Sequence, residues 1–315
     1  MLEALVLDRG LRQHRVLAAL AVASAACLTA GLLGAPLAGA GATGFACIIL
    51  LLFGLPHGTL DLELIKTEGQ TASGLMVLLS VYLGLAAVMY GLWVAAPALA
   101  LAAFIVIAII HFSEDWEGSG SAFLAMGQAA AVLAAPTFLH RADLDAIFVS
   151  LTDREGARFI TDGLTMIAPV AAVIGVGALI ALWSSGRKTQ AVAGSIVLIG
   201  MVLLPPIVGF ALYFCLFHSP RHLSQSLNAV RLPRGQAWLW VILPLTFAAF
   251  AIAAAIYGVQ ARATPTDRLI AASFMTLSIL TVPHMMAPFI MRRLPRPARS
   301  RRQTFRRIAT AFTPH

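Results

Sequence analysis

Histidines in apolar surroundings are the residues of this chain whose type and spacing suggest chemistry. Five of the eight lie within or at the end of an apolar stretch: His57, His111, His218, His222 and His284. An ionisable side chain at membrane depth is costly and usually functional. His218 and His222 are four residues apart, a spacing that places both imidazoles on one helix face, within reach of one metal ion. The pattern predicts a site for zinc, copper, iron or nickel. Pro220 lies between the pair and is expected to distort the turn.

Carboxylates follow two of these histidines at helical spacing. Asp61 lies four residues after His57, and Asp115 lies four residues after His111. Because one helical turn separates the members of each pair, each carboxylate is expected to accept the imidazole N–H and fix the tautomer of a metal ligand. Glu114 is a further candidate for a carboxylate that orients a metal-binding histidine.

The elements that must position these residues are apolar helices. The chain is 59% hydrophobic and 11% charged, whereas soluble domains carry about 25% charged residues. We expect an all-α, polytopic transmembrane helix bundle with about ten spans, taking roughly 20 residues per span. They lie at about 15–34, 38–58, 73–95, 97–112, 121–139, 163–183, 190–204, 206–224, 237–258 and 269–290. Residues 1–291 then form one catalytic domain and residues 292–315 a basic cytoplasmic tail.

Positive charges predict the orientation of the bundle. Pro205-Pro206 is either a tight turn between two spans or a kink in one long helix, which is the choice between ten spans and nine. With ten spans both termini are cytoplasmic, and 17 of the 22 lysines and arginines lie on that side. The positive-inside rule favours this arrangement, in a multi-pass protein of the cell (inner) membrane. The basic tail then faces anionic lipid rather than nucleic acid. Four of the five histidines end even-numbered spans, and His284 lies in the inner half of the tenth. All five are therefore expected at similar depth near the cytoplasm, where they form one site within the bundle.

At these residues the chain resembles a known family. The signatures are Gly54-Leu55-Pro56-His57-Gly58 with Asp61, His111-Phe112-Ser113-Glu114-Asp115, Tyr213-Phe214 followed by His218-Ser219-Pro220-Arg221-His222, and Pro283-His284-Met285. In this order they resemble the Brp/Blh family of prokaryotic membrane β-carotene 15,15′-dioxygenases, which cleave β-carotene centrally to two all-trans-retinal. The resemblance covers about residues 50 to 290. One departure is Leu62, where many members carry a histidine.

The resemblance implies a non-haem Fe(2+) enzyme. It assigns His57, His111, His218 and His222 as iron ligands, and makes His284 a fifth ligand, an outer hydrogen-bonding residue or part of the substrate pocket. The implied substrates are β-carotene or a related carotenoid from the lipid phase, and O2, with a retinal-binding protein as a candidate partner downstream. Aromatic side chains near the motifs are candidates to clamp the polyene: Phe53, Phe112, Trp116, Tyr213, Phe214 and Phe217.

Two alternatives stay open. A histidine-box membrane desaturase or hydroxylase also uses His-x-x-x-His pairs, but its two-iron site needs more histidines than these five, in several clustered boxes. A non-enzymatic protein that binds haem or a metal ion, or transports the ion, would place histidines in spans as well. Iron stoichiometry distinguishes the first alternative, which needs two ions per chain. A visible absorption band would indicate haem, and polar residues through the full membrane depth would indicate a transporter.

Overall fold

A computed structural model describes residues 2–61, 63, 72–229, 233–261 and 264–293. All regular structure in these ranges is helical, which confirms the predicted all-α class. The helices are α1 (Leu2–Leu32), α2 (Ala40–Ile49), α3 (Ala72–Ala95), α4 (Pro97–Ser113), α5 (Ala122–Ala134), α6 (Arg141–Val149), α7 (Arg154–Ser184), α8 (Lys188–Leu203), α9 (Pro206–Tyr213), α10 (Ser219–Ala229), α11 (Arg234–Ala237), α12 (Leu243–Val259) and α13 (Pro265–Arg293).

Six helical segments are long and apolar enough to cross a membrane. In the part of the chain that the structure describes, they are His14–Leu32, Ser73–Ala95, Pro97–Trp116, Arg154–Ser184, Gly235–Val259 and Pro265–Met286. A seventh results if α5 and α6, which meet at a bend of 102°, form one span. The apolar helices Ala40–Gly54 and Lys188–Leu203 are shorter. The structure therefore describes a membrane protein, while the count of ten spans and the cytoplasmic location of both termini stay predictions.

The chain reverses direction at Pro205. Helix α8 ends at Leu203 and α9 begins at Pro206. A Cβ atom added at Gly209 would lie 3.2 Å from the carbonyl oxygen of Gly200 and 3.2 Å from the sulfur of Met201. The first turn of α9 therefore packs back along the last turn of α8, and the double proline is a turn between two helices rather than a kink.

Two π-helical turns lie beside each other in the middle of the fold. One spans Leu50–Gly54, directly after α2, and the other spans Phe214–His218, between α9 and α10. Such turns contain one residue more than an α-helical turn and are frequent at functional sites. The Ser219 hydroxyl donates to the carbonyl of Phe53 at 2.7 Å, which joins the two segments. Gly54 is required here because a Cβ at this position would overlap the ring of Phe214.

Helix α13 is held against α3 by a buried hydrogen bond. The indole Nε1 of Trp93 donates to the Ser278 hydroxyl at 2.6 Å. Ser278 lies six residues before His284 on α13. The bond therefore places the histidine-bearing half of α13 beside the interior of the bundle.

Candidate metal centre

Four of the predicted histidines converge. The ring centroid of His111 lies 4.8 Å from that of His218, 5.4 Å from that of His222 and 5.3 Å from that of His284. The rings of His218 and His222 are 4.4 Å apart. Rings that bind one ion must lie this close together because each metal–nitrogen bond is only about 2.0–2.1 Å long. The four residues come from α4, the second π turn, α10 and α13.

His57 is the fifth predicted histidine, and its side chain lies outside the described residues. Its backbone belongs to the 3-10 turn Leu55–Gly58, which follows the first π turn. A Cβ added at the neighbouring Gly58 would lie 3.5 Å from Nδ1 of His284. The Leu55–Gly58 turn therefore runs beside the histidine cluster.

The helical spacing of His218 and His222 is preserved although Pro220 lies between them. Pro220 is the second residue of α10, which begins directly after the π turn. A proline is tolerated in the first turn of a helix because its missing N–H has no intrahelical partner there. The expected distortion is therefore confined to the π turn, and both imidazoles face the same interior region.

Asp115 is the buried centre of the polar contacts. It lies in the 3-10 turn Glu114–Trp116 after α4 and is 0% exposed. Its Oδ2 is 2.8 Å from Nδ1 of His218 and accepts the Tyr213 hydroxyl at 2.8 Å, while its Oδ1 lies 3.4 Å from Nε2 of His222. Helical spacing predicted that Asp115 would pair with His111. The structure instead places its carboxylate against two histidines from a different segment.

The backbone of Asp115 is held as well. Its carbonyl accepts Nη1 of Arg221 at 2.7 Å and Nε2 of Gln190. Sequence reasoning did not assign either residue to the site. The position of Arg221 between the two histidines of one motif was the available signal, whereas Gln190 had none because it belongs to α8, far away in sequence.

Asp61 and Glu114 differ in their relation to the cluster. Oδ2 of Asp61 lies 2.7 Å from Nδ1 of His284, so its partner comes from α13, whereas helical spacing predicted a pairing with His57. Oε2 of Glu114 is 4.0 Å from Nδ1 of His111, and the Glu114 side chain is 49% exposed. Glu114 therefore lies at the edge of the centre, while Asp61 contacts it directly.

The six aromatic side chains predicted to clamp a substrate surround the cluster in different ways. Phe112 and Phe214 contact the ring of His218, with centroids 4.8 and 5.1 Å away. Trp116 is fully buried and stacks on Phe217 at 5.2 Å. Tyr213 uses its hydroxyl on Asp115, and Phe53 is 53% exposed. These rings, apart from Phe53, therefore form an apolar wall around the polar centre.

An apolar cavity lies beyond Phe112. Every side chain that lines it among the described residues is apolar. Its walls come from α4 to α9, α13 and the adjoining turns, and include Leu101, Phe104, Phe148, Phe210 and Phe274. Of the six predicted aromatic residues only Phe112 lines it. Phe148 lies far from every histidine motif in sequence, whereas Phe104, Phe210 and Phe274 lie seven to ten residues before a motif histidine and were not predicted.

The donor set suits a transition metal. Ligand atoms of Asp115, His218 and His222 all lie within 4.8 Å of one another, and the rings of His111 and His284 lie next to them. Imidazole nitrogens with a carboxylate are ligands used by non-haem iron and by other first-row metals. Asp115 and Asp61 each meet a histidine at Nδ1, the outer contact that fixes the tautomer of a metal ligand.

Comparison with known proteins bears on which chemistry this centre serves. The family model described as Beta-carotene 15,15'-dioxygenase matches residues 48–291, which include all four histidine-bearing segments. A protein named Beta-carotene 15,15'-dioxygenase from Uncultured marine bacterium 66A03 is 30% identical over 268 residues, covering 78% of this chain and 93% of that protein. No solved structure matches the chain. The resemblance seen in the sequence is confirmed, and the chain belongs to the β-carotene 15,15′-dioxygenase family.

Proposed function

We propose that this chain is a carotenoid-cleaving dioxygenase that cuts β-carotene at its central 15,15′ double bond and releases two molecules of all-trans-retinal. Membership of the family supports the reaction class. The observation that carries the proposal is the meeting of His111, His218, His222 and His284 around the buried carboxylate of Asp115. A cluster of this kind is costly to bury unless it binds an ion.

The reaction balances without a further reductant. The central carbon–carbon double bond of β-carotene and the oxygen–oxygen bond of O2 both break, and each carbon receives one oxygen atom as an aldehyde. Ferrous iron held by His57, His111, His218 and His222 would supply the activation of dioxygen when bound. Since both oxygen atoms end in the products, no side chain has to donate or remove a proton.

The protein's own residues orient the ligands and exclude water. Asp115 holds His218 through Nδ1, which leaves Nε2 of that ring as its ligand atom, and Tyr213 donates to the same carboxylate oxygen. Asp61 holds His284 in the same way, which supports an orienting or additional ligand role for His284. The buried rings of Phe112 and Phe214 cover the other side of His218. A dry centre strengthens each of these electrostatic contacts.

The membrane setting matches the proposed substrate. A 40-carbon hydrocarbon dissolves in the bilayer, and α4 and α13, which carry His111 and His284, are long and apolar enough to span it. We extend the proposal to the whole chain, with residues 1–291 as one catalytic domain in the cell (inner) membrane. Residues 292–315, most of which lie outside the described part of the chain, would be a cytoplasmic tail on anionic lipid.

Expression in a bacterium that accumulates β-carotene tests the reaction. We expect the orange colour to fade while retinal appears in the pigment extract, and we expect His218→Ala to abolish both changes. The matched control is His140→Ala, because His140 contacts Asp143 and the Leu203 carbonyl, away from the cluster. Unchanged β-carotene in cells that contain folded, iron-loaded protein would contradict the proposed substrate.

Metal removal tests the cofactor. Chelation of the purified protein is expected to stop retinal formation, and one equivalent of ferrous iron per chain is expected to restore it. A requirement for two equivalents would instead support the two-iron desaturase or hydroxylase class. Retention of full activity in protein that contains no iron would refute the metal assignment.

A further inference from the structure

The apolar cavity is elongated, and one of its ends lies at the histidines. Both Leu101 and Phe112 of α4 line it. Because these residues are eleven positions apart, the cavity follows α4 for roughly 16 Å at 1.5 Å of rise per residue.

The inner end of the cavity is one side chain away from the histidine centre. The ring of Phe112 lines the cavity and meets the ring of His218 edge-on at 4.8 Å. Phe210 lines it beside Phe112, with ring centroids 6.1 Å apart. An apolar ligand that fills the cavity would therefore end beside the proposed metal ligands.

Phe148 of α6 and Leu151, two residues after the end of α6, form what we call the α6 wall at the outer end of the cavity. Phe148 and Leu151 line it there, together with Leu101 from the first turns of α4. Gly156, in the first turn of α7 and five residues after Leu151, packs against Ala98 at the start of α4. The α6 wall is therefore at the end of α4 opposite the histidines.

We propose that this cavity receives one ring-bearing arm of the carotenoid, and that its α6 wall, formed by Phe148 and Leu151, determines which double bond reaches the histidine centre. The inference rests on the proposed function and adds the residues that set its position of cleavage. β-Carotene has no polar group for the protein to recognise, so position along the polyene has to be set by length and shape. An apolar cavity with a wall at its far end does this, because an arm that reaches the end wall stops at one depth.

The lining also predicts which ring is accepted. A hydroxyl group on the ring would be buried at the α6 end among apolar side chains only. Burying a hydroxyl without a hydrogen-bond partner is unfavourable. Carotenoids with unsubstituted rings are therefore the expected substrate class, and hydroxylated rings are expected to be cleaved at least about 10-fold less efficiently.

Ala108→Phe tests occupation of the cavity. Ala108 lines the cavity midway along α4 and is buried, whereas Val106 on the same helix is 57% exposed on the outer surface. Under anaerobic conditions, Ala108→Phe is expected to retain at least about 10-fold less β-carotene than the unchanged protein, since burial of one ring-sized apolar group is lost. The matched control Val106→Phe is expected to retain the same amount. Ala108→Leu, with a smaller effect expected, replaces Ala108→Phe if that variant does not fold.

Phe148→Ala tests the end wall. Removal of this ring lengthens the cavity, so the arm is expected to enter more deeply and the products are expected to include one aldehyde longer and one shorter than retinal. If all variants retain β-carotene equally and yield only retinal at the original rate, the cavity assignment is wrong while the proposed function stands. If the unchanged protein retains β-carotene but never cleaves it, the proposed function fails, and loss of retention in Ala108→Phe still supports the assignment.

Discussion

Replacement of Asp115 by asparagine tests whether this carboxylate orients the metal ligands. The side chain is completely buried and meets His218, Tyr213 and His222 at 2.8, 2.8 and 3.4 Å. Asparagine has nearly the same shape but no charge, so the hydrogen bonds from Tyr213 and His218 lose the ionised acceptor. Hydrogen bonds to charged groups contribute about 1.5–3 kcal/mol each, and loss of an outer partner of a metal ligand typically costs about 10- to 100-fold in metal affinity or activity. We expect Asp115→Asn to lower iron affinity and retinal formation within that range.

The assay is titration of metal-free protein with ferrous iron, followed by retinal formation at saturating iron. The control is Asp162→Asn, because Asp162 pairs with Arg141 on an exposed surface, where an ion pair contributes about 0–1 kcal/mol. Unchanged iron affinity in Asp115→Asn would refute an orienting role. A loss as complete as that of His218→Ala would also refute the orienting role, because it would indicate that Asp115 itself binds the iron.

Three further predictions concern the neighbours of the centre. Tyr213→Phe removes one hydrogen bond to Asp115 and is expected to lower activity less than Asp115→Asn does; an equal loss in retinal assays would contradict this order. Asp61→Asn and His284→Ala are expected to be non-additive in iron affinity, since the two side chains form one contact of 2.7 Å; additive losses would show that they act separately. Gly54→Ala is expected to lower the thermal midpoint in detergent, since its Cβ would overlap Phe214 and overpacking costs about 1–3 kcal/mol. Gly84→Ala, whose Cβ meets nothing within 4 Å, is the control and should not be destabilised.

Apolar runs and histidine placement predicted the helical class and the residues that converge. Helices end at similar depth in a bilayer, so histidines near the ends of several spans are expected at one depth, and the four whose side chains the structure describes lie close together. The partners of the aspartates could not be predicted in this way. Helical spacing relates residues of one helix, whereas Asp115 lies in a 3-10 turn after α4 and faces His218, which is 103 positions later.

The cavity could not be predicted from the sequence for a related reason. Its walls combine Phe104, Phe148, Phe210 and Phe274 from four helices. Each is an ordinary apolar residue within an apolar stretch, and no local pattern distinguishes a residue that faces a cavity from one that faces lipid. The π turns likewise have no sequence signature, because they depend on how neighbouring helices pack.

The π turn Phe214–His218 makes the site sensitive to chain length. An α-helix advances by 100° per residue, so the one additional residue in this turn rotates His218 and His222 by about 100° relative to α9. Deletion of a single residue from this turn would restore regular α-helix and direct both imidazoles away from Asp115, although every histidine would still be present. The number of residues in the turn therefore constrains this centre as strictly as the identity of its ligands, and relatives that differ there by one residue would have to compensate elsewhere in α10.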